Sequence, residues 1–300
     1  MPAHAPDIRV LVADDWADYA LIDSGAGEKL ERVGPYHFVR PEPQALWRRR
    51  ADPGLWARAD AVFTGSDDEE AGRWRFSRPL PDEWPLHWGE LAFLSRPTPF
   101  RHLAFFPEHS VHWRFAEDRL RARAKRGAAP EVLNLFGYTG LASLAAARAG
   151  AHVTHVDASK KAIGYARANQ AAANLGEASI RWIVDDAHAF VQRELRRGRR
   201  YDGIILDPPK FGRGPDGETW RLEESLAALL NDCARLLHDE PGERFMIATI
   251  YAVRLSVLAL AQTAREAIPH DGAWEIGEMA LPHQNDERLL PTAIFARWTG

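Results

Sequence analysis

VLNLFGYTGLASLAAARAGAHVTHVD, residues 132–157, decides the fold of this 300-residue chain. VLNLF (132–136) has the length and apolarity of a buried strand, LASLAAARAG (141–150) is an alanine-rich helix that Gly150 ends, and HVTHVD (152–157) is a second strand. In open sheets built from such strand-helix-strand units, ligands sit outside the carboxyl ends of the strands, so the residues that end each strand are the informative ones. The first strand ends at Phe136-Gly137-Tyr138-Thr139-Gly140, where two glycines permit a tight turn and close approach of backbone to a ligand. The same turn would serve equally well where only a left-handed residue is needed. The second strand ends at Asp157, 20 positions after Gly137. Its carboxylate can accept from both hydroxyls of a ribose, or can cap the helix that starts near Ser159.

The alternation continues towards the C-terminus. SKKAIGYARANQAAAN (159–174) predicts a helix, SIRWIVDDA (179–187) a strand running into a loop, and YDGIILDPP (201–209) a strand buried on both faces. TWRLEESLAALLNDCARLL (219–237) predicts a helix, ERFMIATI (243–250) a strand and residues 254–267 a helix. AWEIGEMAL (273–281) and LLPTAIFARW (289–298) predict two antiparallel strands at the sheet edge. Repeated βα units of this kind specify an α/β fold with a doubly wound, Rossmann-like, mostly parallel sheet.

Upstream the texture differs. The first hundred residues are rich in Trp, Pro and Gly, and YALID (19–23) and YHFV (36–39) lie on either side of the turn-like SGAGE (24–28), which predicts β-structure with a hairpin at the glycines. TGSDDEEAGR (64–73) reads as an exposed loop and LHWGELAFLS (86–95) as further β-structure. Residues 111–126 are helix-permissive and stop at Gly127 and Pro130. The expected organisation is a smaller β-rich domain over residues 1–108, able to recognise substrate, and a second domain over 109–300.

The third strand ends at Asp185-Asp186-Ala187, where Asp186 is placed to accept from an adenine amino group and Asp185 is a solvated or capping neighbour. Three such strand ends specify an adenosine, which a dinucleotide-dependent oxidoreductase would also bind. The loop is G-x-x-G, however, and lacks the G-x-G-x-x-G that a pyrophosphate needs. A cofactor without phosphates, such as S-adenosylmethionine, fits better. The fourth strand ends at Asp207-Pro208-Pro209-Lys210-Phe211. Consecutive prolines fix φ and remove two donors, giving a rigid platform of acceptors that can hold a planar N–H-bearing group. Methyl transfer to such a group is an in-line displacement that positioning serves well. Phe211 could stack on a ring, Lys210 and Arg213 could meet an anion, and GRGPDGE (212–218) reads as a loop able to close over substrate.

Composition narrows the classes. A formal charge of −4 excludes a protein that coats nucleic acid nonspecifically, so any such contact must be local, through Arg48–Arg50, Arg119–Arg126 or Arg193–Arg200. One cysteine, Cys233, permits no internal disulfide and no thiolate metal cluster. No metal-ligand spacing or Ser/His/Asp arrangement stands out, and His152 and His155 read as structural. No apolar run approaches the ~20 residues of a membrane span, and MPAHAPDIRV lacks a signal pattern, which leads to a cytoplasmic expectation.

LNLFGYTG, VDAS, ARANQAAAN and LDPPKF, in that order, resemble class I S-adenosylmethionine-dependent methyltransferases, and more closely the family that methylates bases of large-subunit ribosomal RNA, with cytosine-C5 and guanine-N7 enzymes among its members. The resemblance implies a seven-stranded sheet with an antiparallel last strand, Asp157 on the ribose and Ser159 beside it, Asp186 and Ala187 on adenine, and Asn134, Phe136, Gly137, Tyr138, Thr139 and Gly140 around the methionine moiety. It also implies a lead-in β-hairpin and helix over FRHLAFFPEHSVHW (100–113). Cytosine-C5 is too weak a nucleophile to attack unaided and needs a cysteine at C6, and no cysteine stands beside Asp207-Pro208-Pro209-Lys210. The expected reaction is therefore methylation of a base nitrogen in ribosomal or other structured RNA, with Arg119–Arg126 on its backbone. The alternatives are a small-molecule or protein methyltransferase and a non-catalytic cofactor-binding protein.

Overall fold

The computed structural model describes residues 6–65, 72–239, 242–251 and 255–300, so residues 66–71 of the expected loop at 64–73 lie outside the described residues. The chain forms two compact units. One holds the chain up to Leu11, Val111–Met279 and Ala293–Gly300; the other holds Val12–Ser110 and Ala280–Thr292. A single cut at residue 108 therefore misses two exchanges, the first strand and the turn of the last hairpin. Both are pairings between segments far apart in sequence, which local texture does not record.

After β1 (Ile8–Val12), the β-rich unit contains β2 (Tyr19–Gly25), β3 (Glu28–Val33), β4 (Tyr36–Pro41), α1 (Pro53–Ala57), β5 (Ala61–Thr64) and β6 (Arg73–Phe76), with β2 to β6 in one sheet in sequence order. The hairpin at the glycines joins β2 to β3, with Gly25 and Gly27 at φ 155° and 77°. A second hairpin, β7 (Trp84–Trp88) and β8 (Leu91–Ser95), stacks Trp84 on Phe38 at 5.6 Å, and Trp74 of β6 meets Phe38 and Phe63 edge-on at 5.7 and 5.2 Å. A small unit with little helix among its described residues fills its interior with large aromatic side chains, which accounts for its tryptophans. Within it, fully buried Glu31 accepts from Arg40 Nε (2.7 Å) and Nη2 (2.8 Å) and from the Tyr19 hydroxyl (2.7 Å). Burial pushes the Glu31 carboxyl up, but the charges of Arg40 and Lys29 and these hydrogen bonds hold it at about 2.

The other unit is α/β. It contains α2 (Ser110–Ala124), β9 (Glu131–Leu135), α3 (Leu141–Arg148), β10 (His152–Asp157), α4 (Lys160–Ala172), β11 (Ile180–Val184), α5 (Ala187–Arg196), β12 (Gly203–Leu206), β13 (Phe211–Arg213), β14 (Thr219–Arg221), α6 (Leu222–Leu236), β15 (Phe245–Tyr251), α7 (Val257–Ala267), β16 (Ala273–Pro282) and β17 (Leu289–Thr299). The main sheet runs β1-β16-β17-β15-β12-β9-β10-β11, with β9 to β12 and β15 parallel and β17 antiparallel to β15. The seven strands from β16 to β11 are those expected, and β1 adds an eighth at the edge. Both faces are buried: Leu133, Ile204 and Met246 pack with Phe190, Leu230 and Leu260 of α5 to α7, while Val132, Ile205 and Ile247 pack with Leu120 of α2 and Ala146 of α3.

Three local expectations are corrected. Helix α5 follows β11 where a loop was expected, although Ala187, Phe190, Val191 and Glu194 are buried at helical spacing and Asp186 caps the start through Ala189 N–H at 2.8 Å. Residues 212–218 are mostly the turn of a hairpin between β13 and β14, closed by Gly214 N–H on the Glu218 carbonyl at 2.9 Å, so α6 starts at 222 and not at 219. Residues 100–113 form no β-hairpin. They are irregular up to a 3₁₀ turn at Pro107–His109, and the expected helix follows as α2 from Ser110.

Candidate cofactor and methyl-transfer site

Strand register brings the candidate residues to one edge. Leu206 of β12 pairs with Leu135 of β9, Leu135 with Val156 of β10, and Asp157 with Val184 of β11. The chain therefore leaves four parallel strands side by side, at Phe136, Asp157, Asp185 and Asp207. The winding reverses between β9 and β12, so the Phe136–Gly140 loop and the Asp207–Phe211 segment flank the crevice where such sheets bind ligands.

The glycine loop is strained and internally satisfied. Phe136, Tyr138 and Gly140 have φ of 55°, 50° and 84°, the first two in a region that costs a bulky residue about 1–2 kcal/mol. Gly137 N–H donates to the Val156 carbonyl (3.1 Å), Tyr138 N–H to Asp157 Oδ2 (2.8 Å) and Gly140 N–H to the Gly137 carbonyl (2.9 Å), while the Thr139 carbonyl accepts from Asn169 Nδ2 (2.9 Å). Thr139 is itself buried. Ser159 N–H donates to Asp157 Oδ1 at 2.8 Å, and Ser159 is the residue that caps α4. Burial pushes the Asp157 carboxyl up, and the N–H groups of Ser159 and Tyr138 work against it.

Under the loop lies a row that the sequence reading did not assemble. Asn134, His155 and Trp182 stand opposite one another on β9, β10 and β11. Asn134 Nδ2 donates to Ser143 Oγ (2.9 Å), Ser143 Oγ lies 2.9 Å from His155 Nδ1, and the His155 and Trp182 rings are 4.7 Å apart. A Cβ on Gly137 would lie 2.3 Å from His155 Cε1, and one on Gly140 2.9 Å from Ala166 Cβ and 3.0 Å from Trp182. The protein itself thus requires a missing side chain at 137, whatever the ligand requires. Asn134, 3% exposed, is engaged in this row through its Nδ2. Burial lowers the pKa of His155 to about 3, and its Nδ1 lies against Ser143; His152 is paired with Glu131 at 3.2 Å.

Asp185 pairs with Arg193, whereas capping falls to Asp186, which uses Oδ1 for Ala189 N–H. Ala187, the first residue of α5, is 4% exposed. In the next segment Pro208 is buried, Pro209 and Lys210 are exposed, and Phe211 is 45% exposed. The proline platform is narrower than expected. The Pro209 carbonyl accepts from Trp220 Nε1 (2.7 Å) and the Lys210 carbonyl from Leu222 N–H (3.0 Å).

These donors and acceptors discriminate between cofactors. Three N–H groups of the glycine loop are consumed internally, so the loop is not the nest of donors that a pyrophosphate requires. Carboxylates at 157, 186 and 207 around the crevice suit a ligand with ribose hydroxyls, an adenine amino group and a sulfonium. Among the described residues no cluster of His, Cys, Asp or Glu could hold a metal ion, and no helix is long and apolar enough to cross a membrane.

Comparison with solved structures is decisive for the family. An S-adenosylmethionine-dependent methyltransferase from Agrobacterium tumefaciens superposes with a TM-score of 0.91 at 45% identity, over 99% of this chain and 94% of that one. The chain belongs to the S-adenosylmethionine-dependent methyltransferases. The cofactor of this methyltransferase is S-adenosylmethionine, and its sheet is that of the class I fold. A methyltransferase from Streptococcus mutans, 15% identical with a TM-score of 0.71 over 95% of this chain and 76% of that one, shares the fold. Residues 118–229 match the family described as Conserved hypothetical protein 95. Among curated proteins, ribosomal RNA large subunit methyltransferase I of Aeromonas salmonicida is 34% identical over 117 residues, 39% of this chain and 27% of that protein. Ribosomal RNA large subunit methyltransferase K/L of Shewanella frigidimarina is 30% identical over 150 residues, 47% of this chain and 19% of that protein. The chain thus spans about a quarter or less of the length of these curated relatives.

Proposed function

We propose that this methyltransferase modifies a base nitrogen of ribosomal or other structured RNA in the cytoplasm. The observation that carries the reading is the placement of Asp207–Phe211 across the switch point from Phe136–Gly140, one able to hold an acceptor and the other a methyl donor. The bound cofactor supplies a methyl group already activated by its sulfonium. Asp157, beside Ser159, would hold the ribose, and Asp186, at the buried Ala187, the adenine amino group; residues 136–140 would form the wall for the methionine moiety. Asp207 and the Pro208 carbonyl would accept from an extruded base and turn its nitrogen lone pair towards the methyl group, with Phe211 stacked on the ring. Nitrogen is favoured because Cys233 is fully buried in α6, where burial drives its thiol far above the ordinary range, so no thiolate is available to add to C6 of a pyrimidine.

The cationic contribution differs from the one expected. Arg119 and Arg126 pair with Glu243 (3.0 and 3.3 Å), Arg121 with Glu117 (3.1 Å) and Arg123 with Asp202 (2.9 Å), so that run is largely matched by carboxylates. Arg49 pairs with Glu28, Arg197 with Glu194 and Arg199 with Glu131. Lys210 and Arg213, on and beside the β13–β14 hairpin, are the better candidates for RNA phosphate, since Arg221 is itself paired with Glu224 at 3.2 Å. The pairing of the basic runs and the net charge of −4 favour the competing reading, a small-molecule or protein acceptor. Incubation with labelled S-adenosylmethionine and total RNA from a strain lacking the protein, followed by nucleoside mass spectrometry, decides between them. An N-methylated base in large-subunit RNA is expected, with RNA binding that weakens as salt rises. Label confined to protein or small molecules would overturn the RNA reading, and a C5-methylpyrimidine would overturn the nitrogen assignment.

A further inference from the structure

The two loops that flank the crevice are joined by one side chain that no motif includes. Trp220, on β14 and 4% exposed, donates from Nε1 to the Pro209 carbonyl at 2.7 Å. Its ring lies 5.0 Å from that of Phe136, inclined at 56°. Phe136 would follow Val132 and Asn134 onto the α3 face of the sheet if β9 simply continued. Its φ of 55° turns the ring to the opposite face, into the cluster that holds Trp220 and Leu222. A bulky residue holds such a backbone only where its surroundings over-determine it. The Trp220 ring is one of those surroundings, and its N–H fixes the acceptor loop at the same time. The hairpin itself does not depend on the indole, because Phe211 pairs with Arg221 and Leu222 N–H closes on the Lys210 carbonyl.

We propose that Trp220 is a positioning residue that sets the separation between the cofactor loop at Phe136–Gly140 and the acceptor loop at Asp207–Lys210. The inference rests on the methyl-transfer reading of this site and adds the strut that holds its two halves in line. In-line displacement tolerates little error: a misplacement of about 1 Å costs on the order of a hundredfold in rate. The indole works at two separable points, ring to Phe136 and N–H to Pro209, and substitutions can remove them one at a time.

The test is hydrogen–deuterium exchange and S-adenosylhomocysteine calorimetry on the full chain, as wild type, Trp220→Phe and Trp220→Ala, with turnover measured on whichever acceptor the wild type labels. In Trp220→Phe the ring contact remains and the N–H is lost. Exchange should rise several-fold in peptides over 207–213 but not over 136–140, ligand affinity should stay within about twofold, and kcat should fall roughly 10- to 100-fold with little change in KM. In Trp220→Ala exchange should rise in both segments. Wild-type exchange and kcat in Trp220→Phe would overturn the proposal, as would exchange rising evenly across the α/β unit with a matching fall in Tm. If the wild type labels no acceptor, the functional reading fails, while the segmental exchange pattern still decides whether Trp220 ties the loops.

Discussion

Gly137→Ala separates what the protein needs at the glycine loop from what the ligand needs. The added Cβ would lie 2.3 Å from His155 Cε1, 2.5 Å from Nδ1 and 2.9 Å from Asn134 Nδ2. Comfortable contacts between such atoms are about 3.5–4.0 Å, so the shortfall at His155 is about 1 Å. Neither neighbour can retreat: His155 is fully buried, Asn134 is 3% exposed, and both are bound to Ser143. The loop must therefore rise. Overpacking of this kind costs about 1–3 kcal/mol, which corresponds to a Tm lowered by roughly 3–10 °C in a unit of this size. Raising the loop also breaks the 2.8 Å bond from Tyr138 N–H to Asp157, and losing a hydrogen bond to a charged group should weaken cofactor affinity about 10- to 100-fold. Calorimetric titration with S-adenosylhomocysteine and thermal denaturation measure the two effects. The decisive variant is Gly137→Ala combined with His155→Ala, which removes the obstructing ring and should recover much of the affinity relative to His155→Ala alone. Wild-type affinity and Tm in Gly137→Ala would refute the reasoning, and failure of the double variant to recover anything would show that the ligand, not the row, demands glycine.

Two further outcomes follow from the site. Asp157→Ala should lower cofactor affinity by about tenfold or more, since it removes the acceptor for Tyr138 and Ser159 N–H as well as for a ribose, whereas Asp207→Ala should chiefly lower single-turnover rate; equal cofactor binding by wild type and Asp157→Ala would remove the ribose assignment. His155 gives a pH signature. Its folded pKa of about 3 lies below the ordinary 6.5, so the unfolded chain takes up a proton that the folded chain refuses, and stability present above pH 6.5 is lost as pH falls, by about 1.4 kcal/mol for each pH unit until about pH 3. His155→Gln should flatten this slope in thermal denaturation between pH 7.5 and 5, and an unchanged slope would exclude His155 as its source.

The βαβ unit at 132–157 was legible because its apolar period, glycine punctuation and terminal aspartate all lie within one short segment. Asp207-Pro208-Pro209-Lys210 was legible for the same reason, as rigidity is written into consecutive prolines. Helix α5 is not legible as such although its buried period is present, because Asp185-Asp186 reads equally as a strand end and as a helix cap. The hairpin at 211–221 was missed because Gly214, Pro215 and Gly217 read as a loop, and the strand pairing that makes them a turn involves only three residues on each side.

The sequence by itself determined the class of fold, the order of the strand ends and the kind of ligand they can hold, because period, turn chemistry and residue type are local properties. Only the tertiary structure decided that Asn134 supports the loop from below, that Gly137 is required by His155, that the arginines of 119–126 are matched by carboxylates, and that Trp220 joins two loops across the switch point. Each of these depends on which residues meet across strands and helices. Register, burial and the direction in which a left-handed Phe136 throws its ring settle such meetings, and none of the three is encoded by neighbours in the chain.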